Sequence, residues 1–144
     1  MIADRMGRDH LPGETTGTSQ RPAQRLAAPL LTFDLDAETE QLRREEAWQR
    51  EDHNAITLVK ESDFRVVLVA IKAGGKLREH HAPGRIAIQA ISGYLRLHLP
   101  DETVELPAGH LLTLDRHMTH EVEAVEESTF LLTIAWPEEH PAAL

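Results

Sequence analysis

The sequence predicts an all-β domain, an antiparallel barrel or sandwich, preceded by a short N-terminal strand and helix. Three observations predict it. From residue 54 onward, about eight short segments are apolar or alternate apolar with polar. Turns rich in Gly, Pro and Asp separate them at short intervals. No helical pattern intervenes, so a parallel sheet with crossover helices is not expected.

The elements follow in order. Residues 1–28 contain the polar, breaker-rich run Gly13 to Gln20, and their few apolar residues have no period. Such a composition does not repay the entropy of ordering, so a flexible tail is expected. Residues 29–53 form the next unit: Leu30 to Leu35 reads as a short strand, Asp36 as a helix N-cap, and Ala37 to Arg50 as a helix. That helix has little apolar surface, which makes Trp48 its expected anchor. Residues 54–137 supply the barrel. Ile56 to Val59 and Phe64 to Ile71 are β-branched and apolar. The second of these is apolar on both faces, as a central strand covered on both sides would be. Arg85 to Ile91 is another apolar run. Leu95, Leu97 and Leu99 then alternate with Arg96 and His98. Val104 and Leu106, Leu111 to Leu114, His120 to Ala124 and Thr129 to Trp136 complete the set. Residues 138–144 are read as a second tail.

Composition excludes whole classes of chemistry. The 144 residues fit one domain large enough to bury a core without staples, and none is cysteine. Disulfides and thiolate sites are therefore absent. The 24 acidic against 15 basic residues give a formal charge of −9, which disfavours binding to nucleic-acid phosphates. No apolar run approaches the roughly 18 residues of a membrane span, and the N-terminus lacks a secretory core. The expectation is a cytoplasmic protein without a membrane partner. No Ser/His/Asp arrangement, phosphate-binding glycine loop or base-stacking platform is visible.

Chemistry concentrates in two segments. One runs from Gly74 to His81 and ends Glu79-His80-His81; the other runs from Gly109 to His120. Strand parity puts His120, Val122 and Ala124 on one face and Glu121 and Glu123 on the other, so His120 should point into the barrel. Of the adjacent His80 and His81, at most one can face inward. Spacing alone leaves open whether Gln89 joins the inward histidine or faces out. Arg85 could anchor an anion near the pocket, although exposure is its default. His117 sits in a turn and is expected at the surface, as is His98.

With these residues in view, the chain resembles the cupin superfamily over residues 54 to 136, in particular its small single-domain members (RmlC-like cupins). The family's first motif is a glycine, five residues, His-x-His, three or four residues, a glutamate, six residues and a glycine. Gly74, His80 and Gly93 match it. Its second motif is a glycine, five residues, Pro-x-Gly, two residues, a histidine, three residues and an asparagine. Gly109 and His120 match that. Ala82 takes the place of the second first-motif histidine, Ile86 that of the glutamate, Asp115 and His117 those of the proline and glycine, and Ala124 that of the asparagine.

The resemblance implies an antiparallel double-stranded β-helix, or jelly roll. It also implies a barrel pocket that binds a small molecule, through a divalent metal (Fe, Mn, Ni or Zn) in metal-binding members. The ligand set would be His80 and His120, with His81 as a replacement; Gln89 would be a poor ligand and a better hydrogen-bonding partner. The pocket would be lined by Ile86, Ile88, Gln89 and Val122, along with Leu97, Leu112 and Leu132. Three readings stay open: a binding protein, a metal-dependent dioxygenase or isomerase with a rebuilt site, and a structural or oligomerising domain. Such barrels often pair into homodimers.

Overall fold

The computed structural model describes residues 26–80 and 84–137. Among the described residues, two helices precede nine strands. Helix α1 spans Leu35–Arg44 and α2 spans Glu46–Arg50. The strands are β1 His53–Lys60, β2 Phe64–Ile71, β3 Lys76–His80, β4 Arg85–Ser92, β5 Tyr94–His98, β6 Thr103–Pro107, β7 Leu111–Leu114, β8 His120–Ala124 and β9 Ser128–Ala135. They form a five-stranded sheet in the order β1-β2-β9-β4-β7 and a four-stranded sheet in the order β3-β8-β5-β6. All pairings are antiparallel. This is the expected two-sheet β architecture.

The core sits between the sheets. Strict alternation sends Ile86, Ile88 and Ala90 inward from β4, Leu95 and Leu97 from β5, and Phe130, Leu132 and Ile134 from β9. Strand β2 is covered on both faces, as its composition predicted. Val67, Val69 and Ile71 enter the barrel core, while Leu68 and Ala70 meet the helices on the outside. Gly93 makes the tight passage from β4 to β5 with φ of +85°. There its α-carbon lies against the Glu127 carbonyl and Ser128, leaving no room for a side chain.

The N-terminal unit departs from the sequence reading. Leu30 to Leu35 forms no strand, and the helix begins two residues earlier than expected. Asp34, not Asp36, is the N-cap, its Oδ1 accepting from the Ala37 amide at 3.1 Å. Asp36 instead occupies the first turn, where its charge suits the helix dipole. The single predicted helix is broken at Glu45, whose backbone is extended at φ −81° and ψ 154°. The break turns Glu45 inward, where it is fully buried. There its Oε1 accepts from Asn54 Nδ2 at 2.9 Å and its Oε2 from Gln41 Nε2 at 3.2 Å. Asn54 Nδ2 also donates to the Leu42 carbonyl, and its Oδ1 accepts from the Ala55 amide. This polar knot docks the helices on β1. Beside it Trp48 packs with Leu42, Ile56, Leu58 and Leu68, and so anchors the helices as expected.

The expected tails are only partly in view: residues 1–25 and 138–144 lie outside the described residues. The barrel itself starts with His53, one residue before the expected boundary.

Candidate functional site

Strand β8 carries the one histidine that the structure buries in the barrel among the described residues. His120 is 3% exposed, and Val122 and Ala124 follow it on the same inner face. Its Nδ1 lies 3.1 Å from the Met118 carbonyl oxygen. A carbonyl only accepts, so Nδ1 carries the proton. In the neutral ring Nε2 is then the acceptor nitrogen. Fixing the tautomer through a backbone carbonyl on Nδ1 is how proteins prepare an imidazole to act through Nε2.

His80 is placed by its backbone, which pairs directly with His120 in the β3–β8 ladder. A bulge between Leu77 and His80 breaks the alternation of β3. This is why parity alone did not settle the first segment. His81 lies outside the described residues. Gln89 is exposed on the outer face of β4, opposite in parity to the buried Ile86 and Ile88. The alternation that buries those two isoleucines removes Gln89 from the pocket. Arg85 is also outside: its side chain is 65% exposed and its Nη1 lies 3.4 Å from Asp115 Oδ1.

Leu77, Arg78, Ile88, His120, Val122, Phe130 and Leu132 line a cleft between the sheets. Of the predicted lining residues, Ile88, Val122 and Leu132 are therefore brought together here. The cleft is closed too tightly by these side chains to admit a sphere the size of water. A wider space of about 320 Å³ lies on the outside, over Arg85, Ala87, Thr113, Thr133 and Ala135, with Ile86 and Leu114 at its base. It is a shallow trough on a sheet face and holds no histidine. The barrel cleft is the better site, because a fixed imidazole faces into it.

A divalent metal is the cofactor that this fold suggests, so the donors decide whether one fits. Among the described residues no three His, Cys, Asp or Glu side chains converge. Ile86, at the motif's carboxylate position, is 4% exposed within the apolar core and offers no donor. The described donors therefore fall short of the three protein ligands that zinc or iron takes.

Two groups were not anticipated. Arg65 is 8% exposed on β2, with its guanidinium carbon 5.4 Å from the Trp136 ring centroid. The signal was one charged residue on the inward parity of an otherwise apolar strand. On the outer face of the four-stranded sheet, His98 Nε2 donates to Glu123 Oε1 at 2.7 Å and Arg96 Nε to Glu105 Oε2 at 2.9 Å. The bond from His98 holds the Glu123 carboxyl below its usual range, and bonds from Tyr94 and Arg96 do the same for Glu105. These pairs form a cross-strand charge ladder remote from the cleft. The expectation of a simply exposed His98 is corrected accordingly.

No family model matches the sequence, and no curated protein matches it. Solved structures do. A conserved protein of unknown function from Streptococcus pyogenes superposes with a TM-score of 0.64 at 22% identity, covering 79% of this chain and 94% of its own. A cupin superfamily protein from Desulfitobacterium hafniense gives 0.59 at 16% identity, covering 61% and 82%. An RmlC-like cupin from Desulfovibrio desulfuricans gives 0.55 at 22% identity, covering 80% and 97%. Identities this low speak to architecture alone. Together with the two antiparallel sheets and the Gly74–Gly93 and Gly109–His120 segments, they show that this chain is built on the cupin fold.

Proposed function

We propose that the chain binds a small organic molecule at the mouth of its barrel, with His120 as the polar anchor of an apolar pocket. The observation that carries this reading is the buried His120 ring, its proton held on Nδ1 by the Met118 carbonyl and its edge facing the cleft. In that state Nε2 accepts a hydrogen bond from a ligand hydroxyl or acid proton. Leu77, Ile88, Val122, Phe130 and Leu132 supply the apolar wall that such sites use for affinity. The cleft is narrow, so the ligand takes its place by parting the side chains that line it.

The alternative, a metal-dependent dioxygenase or isomerase, draws support from the backbone pairing of His80 with His120. The described donors do not complete its ligand set, and we place it second. A homodimer formed through the outer face of β4 and β7 is supported by Leu111, which is 63% exposed there. The charge of −9 argues against a nucleic-acid partner. No helix among the described residues is long and apolar enough to cross a membrane.

The test uses the whole chain without a histidine tag. A panel of organic acids and sugars is screened by thermal shift against wild type and His120→Gln. At least one compound should raise the wild-type Tm, and its Kd should weaken at least tenfold in the variant. Equal responses from both proteins would refute the role of His120. Stoichiometric Fe, Mn, Ni or Zn that disappears in His120→Ala would favour the metalloenzyme instead.

A further inference from the structure

We infer that the molecule held in the barrel cleft is an amphipathic monocarboxylic acid, and that Arg78 at the rim selects its charged end. This rests on the binding reading above and assigns the ligand's chemical class. The cleft wall is apolar except for His120 and Arg78. Arg78 is exposed, and among the described residues no hydrogen bond, ion pair or ring contact engages its side chain. Other exposed arginines are already paired: Arg85 with Asp115, and Arg96 with Glu105. A wall that is apolar within and carries one uncompensated cation at its edge suits a ligand with an apolar body and one anionic end.

The β3 bulge accounts for this placement. Strand β3 is the edge of the four-stranded sheet, so it borders the open side of the cleft. Leu77 pairs with Val122 and His80 with His120. Between these pairs β3 has two residues, Arg78 and Glu79, where β8 has only Glu121. Regular alternation after the buried Leu77 would send Arg78 to the outer face, as it does Lys76. The bulge breaks that alternation, and Arg78 borders the cleft while keeping contact with water. Re-aiming a side chain beside a site is a recurrent use of bulges. The register also sets Arg78 between Val122 and His120, the two residues that β8 contributes to the wall. The chemistry of the two polar groups then differs. An unprotonated Nε2 accepts but does not donate, so His120 takes a ligand hydroxyl rather than an ionised carboxylate. A guanidinium stays charged at any accessible pH, and its planar fork matches both carboxylate oxygens. In a chain of net charge −9, a single rim cation offsets one negative charge, which favours a monoanion over a dianion.

The experiment compares lactate, mandelate and hexanoate with their neutral primary amides, by calorimetry on the full chain. At least one acid should bind wild type about tenfold more tightly than its amide, the lower end of the scale for a charged hydrogen bond because the guanidinium is exposed. Arg78→Gln should erase that preference and leave the affinity for the amide unchanged. The substitution is at the surface, and an unchanged urea midpoint verifies that the variant folds. Lys76→Gln removes the same charge from the outer face of the same strand, so the preference should survive it. Among the acids, mandelate and hexanoate should bind more tightly than lactate, whose body is too small to cover the apolar wall. Equal affinity for acid and amide, a preference that survives Arg78→Gln, or one that Lys76→Gln also erases overturns the inference and leaves the pocket standing. Silence from acids and amides alike overturns the pocket reading and this inference together.

Discussion

Replacing Gly93 by alanine probes the join between the two sheets, and the structure sets the size of the effect. At φ of +85°, an L-residue bears roughly 1–2 kcal/mol of backbone strain. A Cβ there would also lie 2.3 Å from the Glu127 carbonyl oxygen, 2.3 Å from Ser128 Oγ and 2.7 Å from Ser128 Cα. Two of these three atoms are backbone and cannot swing aside. Relieving such overlap costs about 1–3 kcal/mol more. It also disturbs Ser128 Oγ, which accepts from the Tyr94 amide at 2.9 Å and donates to the Glu126 carbonyl at 2.7 Å. The expected loss is about 2–5 kcal/mol, a large share of the roughly 5–15 kcal/mol typical of a domain. Gly109 is the control. Its φ is +88°, but a Cβ there would meet nothing within 4 Å, so Gly109→Ala should cost only the strain, about 1–2 kcal/mol. The gain from a stiffer unfolded chain is the same for both and cancels in the difference. Urea denaturation of the two variants at equal m-value measures it. Losses within about 0.5 kcal/mol of each other would refute the steric argument.

Other perturbations test other parts of the account. His117 has φ of +63° where the motif has glycine; His117→Gly should stabilise by up to about 1 kcal/mol and His117→Val should destabilise by about as much or more, both read as shifts in urea midpoint. Asn54→Leu leaves the buried Glu45 carboxylate without one of its donors, so a loss of about 1–3 kcal/mol is expected in the same assay, and a neutral result would contradict the role given to the knot. Glu123 is depressed below its ordinary 4.5 chiefly by the bond from His98. Stability from a depressed carboxyl is present above the unfolded value and is lost as pH falls through the folded one. This contribution should therefore hold above 4.5 and fade below it. In His98→Gln the Glu123 carboxyl resonance should titrate closer to 4.5, and an unchanged midpoint would exclude His98 as the cause.

The alternating strands were legible because a period of two fixes which side chains share a face. Leu95 and Leu97, or His120 and Val122, needed nothing more. The same rule, applied strictly to β4, would have separated Gln89 from Ile86 and Ile88. The elements that misled are those where tertiary contacts decide. Glu45 breaks a stretch of good helix formers because its carboxylate serves Asn54, twelve residues after Leu42 in the chain but beside it in space. Asp34 and Asp36 are both suitable caps, and only the bond to the Ala37 amide distinguishes them. The bulge in β3 leaves no trace in composition, so the facing of the first histidine segment could not be derived by counting. Arg65 was overlooked because an arginine near a strand end usually marks the surface.

The central claim is that His120, with its proton on Nδ1, meets the ligand through Nε2. The 15N resonances of its ring, followed while the small molecule that most raises the Tm is titrated in, test it most directly. The free protein should show a protonated Nδ1 and an unprotonated Nε2, and the Nε2 resonance should move as the complex forms. A ring protonated on Nε2 in the free protein, or an Nε2 resonance unmoved at saturation, would contradict the account.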